Sequence, residues 1–121
     1  MNYLWHSDSS FKAVPSLCSL LLAVPPEGGN KQFASMRAAY DALPHDTNQT
    51  LEELVAEHSL VYSPETISTE ALTPEMKAEL PSVWQTMVRV NPVNGRKAVC
   101  AGAHASHVIG WPGAARKDVA Q

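Results

Sequence analysis

His6 and Asp8 are the residues of this sequence whose types and spacing point most directly to chemistry; they lie in the run WHSDSSF at residues 5–11. Alternate residues of an extended strand point to the same side, so this spacing would place an imidazole beside a carboxylate. Mononuclear non-haem iron sites use two histidines and one carboxylate, and this pair would supply two of those three ligands. Because His-x-Asp pairs are common by chance, the surrounding residues must support the assignment.

Two strands are expected to position this pair. The first covers residues 3–9 and carries both side chains, and the second covers residues 17–24. The second segment is almost continuously apolar, which is typical of a strand that is buried on both faces. The prolines and glycines of residues 25–30 then interrupt regular structure.

Helices are expected after this interruption. Ser35 is a candidate N-cap for a helix over residues 36–43, where Met, Ala, Tyr and Leu recur at helical spacing before Pro44. Thr50 and Glu53 have the spacing of a capping box and predict the start of a second helix.

The second half of the chain is expected to combine a helical insertion with strands. Residues 59–62 should be extended and residues 63–72 irregular, and Thr73-Pro74 should begin a short helix that ends near Pro81. A hairpin is predicted from residues 83–90 and 97–101, since the Asn-Gly pair between them favours a turn with positive φ.

The composition limits the classes of protein to consider. A chain of 121 residues with 45% hydrophobic residues and a net charge of −3 fits one small globular domain. The scattered basic residues, outnumbered by acidic ones, do not indicate nucleic-acid binding, and the longest apolar run is far shorter than the roughly 20 residues of a membrane span. The distant Cys18 and Cys100, with no leader-like start, suggest reduced thiols in a cytoplasmic protein.

Four blocks of the sequence occur in the order found in a known family. They are LWHSDSSF, SLLLAVPPEGGNKQFASMRAAYDALP, LVAEHSLVYS and GRKAVCAGAHASHVIG. Together they resemble the taurine and 2,4-dichlorophenoxyacetate (TauD/TfdA) dioxygenases, most closely the 2,4-dichlorophenoxyacetate branch, over about residues 2–112. The resemblance implies an α+β, β-rich fold: part of a double-stranded β-helix, or jelly roll, with a helical insertion.

The resemblance also implies a reaction and its ligands. His6 and Asp8 would bind ferrous iron (Fe(2+)), with 2-oxoglutarate as cosubstrate and O2 as oxidant, giving succinate, CO2 and an oxidised small anionic substrate of the phenoxyacetate or sulfonate type. Lys31 stands where the family normally has a threonine that contacts 2-oxoglutarate, and it could pair with the same carboxylate or be a solvated loop residue. Ser9 and Leu60 fall where the family lines its substrate pocket, although packing explains them equally well.

The family's distal histidine ligand and its 2-oxoglutarate-binding arginine have no counterpart in the sequence. Residues 1–121 are therefore expected to be one partial domain of a chain truncated at both ends. The alternatives are a catalytically inactive remnant, an interaction module, or a homo-oligomer that donates ligands between chains. The roles of His58, His104 and His107 remain open, with structural roles favoured over metal binding.

Other catalytic classes receive no support from the sequence. No GxSxG elbow accompanies the histidines, which argues against serine hydrolysis. The paired Cys or His spacings of a structural zinc site are also missing.

Overall fold

The computed structural model describes residues 4–22, 31–60 and 73–111. Within these ranges it contains three helices and five strands. In chain order they are α1 (Met36–Ala42), α2 (His45–Glu52), β1 (Val55–His58), α3 (Pro74–Glu79), β2 (Val83–Thr86), β3 (Val88–Val90), β4 (Lys97–Val99) and β5 (Ala105–Val108). No helix in these ranges is long and apolar enough to cross a membrane.

The strands form two antiparallel sheets. The larger has the order β2-β1-β5, so that Ala56 in the central strand lies opposite Gln85 on one side and Val108 on the other. The smaller is the hairpin β3-β4, with Val88 opposite Val99. This mixture of helices and antiparallel strands confirms the coarse α+β expectation.

The predicted hairpin turn is present. Gly95 has a φ of 68°, a conformation that glycine adopts without the steric cost of a side chain. Its amide donates to the Asn91 carbonyl at 2.8 Å, and the Arg96 amide donates to Asn94 Oδ1 at 3.0 Å. The Asn-Gly signal therefore identified the turn correctly.

The predicted strand over residues 83–90 is interrupted at Met87. The Met87 amide donates to the Leu54 carbonyl at 3.0 Å, and its own carbonyl accepts from the Cys100 amide at 2.7 Å. Its backbone thus joins the two sheets instead of continuing one of them. The side chain is 1% exposed and packs with Ala56 and Val108 as the buried core.

Two of the three helices begin where the sequence predicts. The Ser35 hydroxyl accepts from the Ala38 amide at 3.3 Å and caps α1, and α3 begins at Pro74 after Thr73. The predicted start of α2 is wrong. This helix begins at His45, directly after Pro44, and Thr50 lies in its last turn.

The reason for the error in α2 is visible in its hydrogen bonds. The Thr50 hydroxyl donates to the Asp46 carbonyl at 3.0 Å, one turn earlier, and does not cap anything. Pro44 precedes the helix with a φ of −58°, and Asp46 places a carboxylate in the first turn, where the helix dipole favours negative charge. The capping-box pattern looks for a serine or threonine cap, so it did not identify a helix that begins directly after a proline.

The two strands expected near the N-terminus are absent from residues 4–22. The segment after His6 makes turn bonds instead, such as the 2.9 Å bond from the Lys12 amide to the Ser9 carbonyl. Leu17, Leu20 and Leu22 are almost fully exposed, so the apolar run is not a buried strand. A strand needs a paired neighbour and a covering layer, and the described residues provide neither for this run. Some predicted residues lie outside the described ranges: residue 3 of the first strand, residues 23–24 of the second, residues 61–62 of the extended segment and residues 63–72 of the insertion.

The two cysteines differ in environment. Cys18 is exposed, whereas Cys100 is buried, and burial raises the pKa of its thiol. We expect one thiol per native chain to react rapidly with a disulfide reagent at neutral pH, and two after denaturation, because the thiolate is the reactive form. Counting released chromophore with and without denaturant measures this. Two rapidly reacting thiols in the native chain would contradict the burial of Cys100.

Candidate metal-binding site

His6 and Asp8 lie side by side, as their spacing predicted, but on an irregular segment and not on a strand. His6 Nε2 and Asp8 Oδ1 are 3.4 Å apart. The Asp8 side chain is half-exposed and that of His6 is partly exposed, so both donor atoms lie near the surface.

The hydrogen bond on the far side of the His6 ring indicates its tautomer. Nδ1 lies 2.9 Å from the Leu4 carbonyl oxygen, which can only accept, so Nδ1 donates. In a neutral imidazole the proton on Nδ1 leaves a lone pair on Nε2, the atom facing Asp8. Such an Nε2 lone pair and the adjacent carboxylate oxygen can bind one cation together, whereas a ring protonated at Nε2 would form an ion pair with Asp8. A backbone carbonyl that orients a histidine in this way is a common feature of metal sites.

The segment that carries the pair packs closely against residues that follow β4. The Ala103 amide donates to the Trp5 carbonyl at 2.9 Å. A Cβ on Gly102 would lie 3.1 Å from the Trp5 carbonyl oxygen and 3.2 Å from His6 Cα. A side chain here would push the backbone that carries His6 by a few tenths of an ångström, so glycine is favoured at this close approach. The histidines of this block were candidates from their residue type, whereas its glycine carried no signal in the sequence.

Two cavities meet at His6. The first, about 680 Å³, is lined by His6, Asp8 and Lys31 among others. The second, about 830 Å³, shares His6 with the first and has mainly apolar walls that include Leu51 and Val99. Lys31 thus lies on the same cavity as the proposed ligands, as a 2-oxoglutarate contact would require.

The structure does not bring the other predicted residues to these cavities. Ser9 and Leu60 line neither of the two. The Ser9 hydroxyl lies 2.9 Å from that of Ser16, and its backbone has a φ of 61°, which makes it part of the turn after Asp8. Leu60 is half-buried after β1.

His104 is buried beside the pair. Its ring packs edge-to-face against His6, with centroids 5.9 Å apart, and against Phe11 at 5.0 Å. Burial, followed by the charge of His6, lowers its pKa, while Asp8 opposes this shift. In the described ranges, however, no three His, Cys, Asp or Glu side chains are grouped so that they could hold a metal ion.

His107 is engaged with other strand residues. Its Nδ1 is 2.9 Å from the Ser106 hydroxyl, and its Nε2 is 3.8 Å from a Glu57 carboxylate oxygen on the paired strand. His107 thus contacts Ser106 on its own strand and Glu57 on the paired strand β1, which indicates a structural role between these two strands.

His58 is a buried structural residue on β1. It is 1% exposed, and neither ring nitrogen has a hydrogen-bond partner among the described residues. Burial, reinforced by the positive charges of His104 and Arg89, lowers the pKa of His58 to about 4. The ring is therefore neutral in the folded protein at neutral pH.

This histidine should make stability depend on pH. Between pH 6.5, its ordinary pKa, and about 4, the unfolded chain binds the proton and the folded chain does not. The free energy of unfolding should accordingly fall as the pH drops through this window, by about 3 kcal/mol in all. Urea unfolding at pH 7 and at pH 4.5 measures the change. The dependence should be smaller in His58→Leu, and an identical dependence would rule out His58 as its source.

Comparison with known proteins places the chain in a family. It matches the model of the family described as "Taurine catabolism dioxygenase TauD, TfdA family" over residues 1–121. It is 45% identical over 113 residues to the alpha-ketoglutarate-dependent 2,4-dichlorophenoxyacetate dioxygenase of Cupriavidus pinatubonensis, an alignment that covers 92% of this chain and 39% of that protein. It is 37% identical over 117 residues to the (S)-phenoxypropionate/alpha-ketoglutarate-dioxygenase of Sphingobium herbicidovorans, covering 90% and 41% respectively.

A solved structure agrees with these sequence matches. The crystal structure of AAD-2 in complex with Mn(II) and N-oxalylglycine superposes with a TM-score of 0.76 at 39% identity, covering 93% of this chain and 42% of that one. The chain belongs to the TauD/TfdA family, which confirms the resemblance of its four sequence blocks. It spans about two fifths of the length of the curated relatives it matches.

Proposed function

We propose that this chain carries two of the three protein ligands of the iron site of a 2-oxoglutarate-dependent dioxygenase, namely the His-x-Asp pair. The observation that supports this best is the arrangement of His6 and Asp8. Nε2 and Oδ1, the atoms that would bind the metal, are 3.4 Å apart, and the hydrogen bond from Nδ1 to the Leu4 carbonyl leaves Nε2 as the nitrogen that faces Asp8. Membership of the TauD/TfdA family supports a role as a ligand pair over a surface contact.

Fe(II) with 2-oxoglutarate, when bound, supplies the oxidising chemistry that couples decarboxylation to oxidation of the substrate. The residues of this chain hold and orient the reactants. His6 Nε2 and Asp8 Oδ1 provide two of the metal ligands. The Lys31 ammonium group, on the same cavity, pairs with a carboxylate of 2-oxoglutarate.

The substrate we propose is a small organic anion of the phenoxyacetate or sulfonate type, oxidised with O2 to release succinate and CO2. The printed names of relatives support the phenoxy class, since they include 2,4-dichlorophenoxyacetate and (S)-phenoxypropionate dioxygenases. Ser9 and Leu60 remain the proposed substrate contacts, although neither lines the two cavities at His6.

The fold that we propose for this function is part of a double-stranded β-helix. Residues 1–121 form one partial domain, and the antiparallel strands belong to a double-stranded β-helix. The superposition with AAD-2 supports this placement. We place the protein in the cytoplasm, on the basis of its cysteine usage.

A second candidate is an inactive member that acts through its surface. Two observations favour it. The described residues group only two metal ligands, and Leu17, Leu20 and Leu22 are almost fully exposed on one segment. A contiguous exposed apolar segment is typical of a surface that associates with another polypeptide, including a second copy of the chain.

A titration with Mn(II) tests the metal site. Bound Mn(II) broadens the NMR signals of nearby nuclei, so it reports even weak binding residue by residue. We expect selective broadening at His6 and Asp8, and at least about tenfold weaker binding in His6→Ala and Asp8→Ala. His45→Ala, the same change at an exposed histidine of α2, should bind like the unmodified chain. Equal broadening in all variants would overturn the assignment.

A turnover assay separates the two candidate functions. The first predicts succinate formation from 2-oxoglutarate with Fe(II), ascorbate and a phenoxyacetate, and its loss in His6→Ala. The second predicts no succinate from any variant, together with a concentration-dependent increase in mass by light scattering. Succinate formation that persists in His6→Ala would contradict the proposed role of that residue.

A further inference from the structure

Gln85 connects the sheet to the turn that follows the ligand pair. It lies on β2, opposite Ala56 of the central strand, and is 8% exposed. Its Nε2 donates to the Ser10 carbonyl at 3.2 Å and to the Lys12 carbonyl at 2.9 Å. These carbonyls lie two and four residues after Asp8.

The orientation of the Gln85 amide is determined by Arg89. The Arg89 guanidinium donates to Gln85 Oε1, and a guanidinium has no acceptor. The oxygen of the amide must therefore face Arg89, which leaves both N–H groups of Nε2 for the two carbonyls. Each polar atom of this side chain thus has a partner, and the amide cannot rotate without losing all three bonds.

The bonded turn is compact. The Lys12 amide donates to the Ser9 carbonyl at 2.9 Å, and Ser10 is 3% exposed. Ser10 is buried, so its carbonyl is not easily solvated when it loses its donor, and water is a poor substitute for Gln85 at that bond. The turn that begins at Asp8 therefore depends on a side chain more than 70 residues later in the chain.

We propose that Gln85 is a positioning residue for the metal site. It holds the turn over residues 9–12 against β2 and thereby fixes where the Asp8 carboxylate lies relative to His6. The link to metal binding rests on the proposed function, whereas the tether itself does not. Residues that orient metal ligands without touching the metal typically change metal affinity by about 10- to 100-fold when replaced.

Two substitutions isolate the lost donor. Gln85→Glu keeps the side-chain length and the contact with Arg89 but replaces the amide NH2 group with a second carboxylate oxygen, which can only accept. Gln85→Met keeps the length without adding charge, and so controls for the attraction of a new carboxylate to the cation. Gln49→Glu, on the exposed side of α2, is the matched charge control. An effect that both Gln85 variants show and Gln49→Glu does not is caused by loss of the Gln85 N–H donors.

Two measurements on the 121-residue chain complete the test. Hydrogen exchange of the Lys12 amide reports the turn, and that of the Ile109 amide, bonded to the Val55 carbonyl at 2.8 Å, reports the sheet. We expect at least about tenfold faster exchange at Lys12, little change at Ile109, and about tenfold weaker Mn(II) binding.

The outcomes distinguish this proposal from the proposed function. Unchanged Lys12 exchange in both Gln85 variants would overturn the tether. Faster exchange with unchanged Mn(II) affinity would overturn the positioning role. If Mn(II) does not bind the unmodified chain at His6 and Asp8, the proposed function fails, and the role toward metal fails with it, even where the exchange data establish the tether.

Discussion

Gly102→Ala is expected to weaken Mn(II) binding at His6 and Asp8 by about tenfold, and to lower the free energy of unfolding by about 1–3 kcal/mol. The new methyl group would lie 3.1 Å from the Trp5 carbonyl oxygen and 3.2 Å from His6 Cα. Both neighbours are backbone atoms, so the clash cannot be relieved by turning a side chain. The segment that carries the ligand must move instead.

The matched control is Gly95→Ala. Gly95 also has a positive φ, of 68°, but an added Cβ would meet nothing within 4 Å. This variant should lose stability through backbone strain and retain its Mn(II) affinity. Parallel NMR titrations and urea unfolding of the two variants make the comparison. An equal loss of Mn(II) affinity in both would show that general destabilisation, and not displacement of His6, causes the effect.

Met87→Ala is expected to cost about 2–5 kcal/mol of unfolding free energy. Met87 is 1% exposed and is the largest member of the buried cluster that includes Ala56 and Val108. Its backbone also joins the two sheets through Leu54 and Cys100. Truncating the side chain leaves a cavity where the sheets meet. The loss would be large, because the whole free energy of unfolding of a small domain is only about 5–15 kcal/mol.

Urea unfolding followed by circular dichroism measures the effect. Met87→Leu conserves most of the volume and should cost less than about 1.5 kcal/mol. A loss below about 1 kcal/mol in Met87→Ala would mean that the site collapses around the smaller side chain and that this residue does not hold the sheets together.

Features that depend on neighbours in sequence were predictable. The Ser35 cap of α1 and the turn at Gly95 each involve residues within a few positions of one another. The contact between His6 and Asp8 is also local, and it forms on a loop although it was predicted on a strand. The resemblance that identified the family rests on whole blocks of sequence and does not depend on these elements being correct.

Features that depend on distant residues were not predictable. The apolar run at residues 17–22 has the composition of a buried strand, yet pairing and covering layers determine whether it becomes one. The strand β5 was not predicted as such, because its sequence lacks a clear alternating pattern and its place comes from pairing with β1.

The sequence by itself determined the family, the candidate ligand pair and the local signals for caps and turns, because these depend on residue type and short spacing. Only the tertiary structure decided that Gly102 lies against the His6 backbone and that Gln85 tethers the turn after Asp8. The partners in these contacts are more than 70 residues apart, and no periodicity or motif encodes which distant backbone a glycine or an amide will meet. Burial of the core positions the sheets, and hydrogen bonds from Ala103 and Gln85 then attach the ligand-bearing segment to the residues around them.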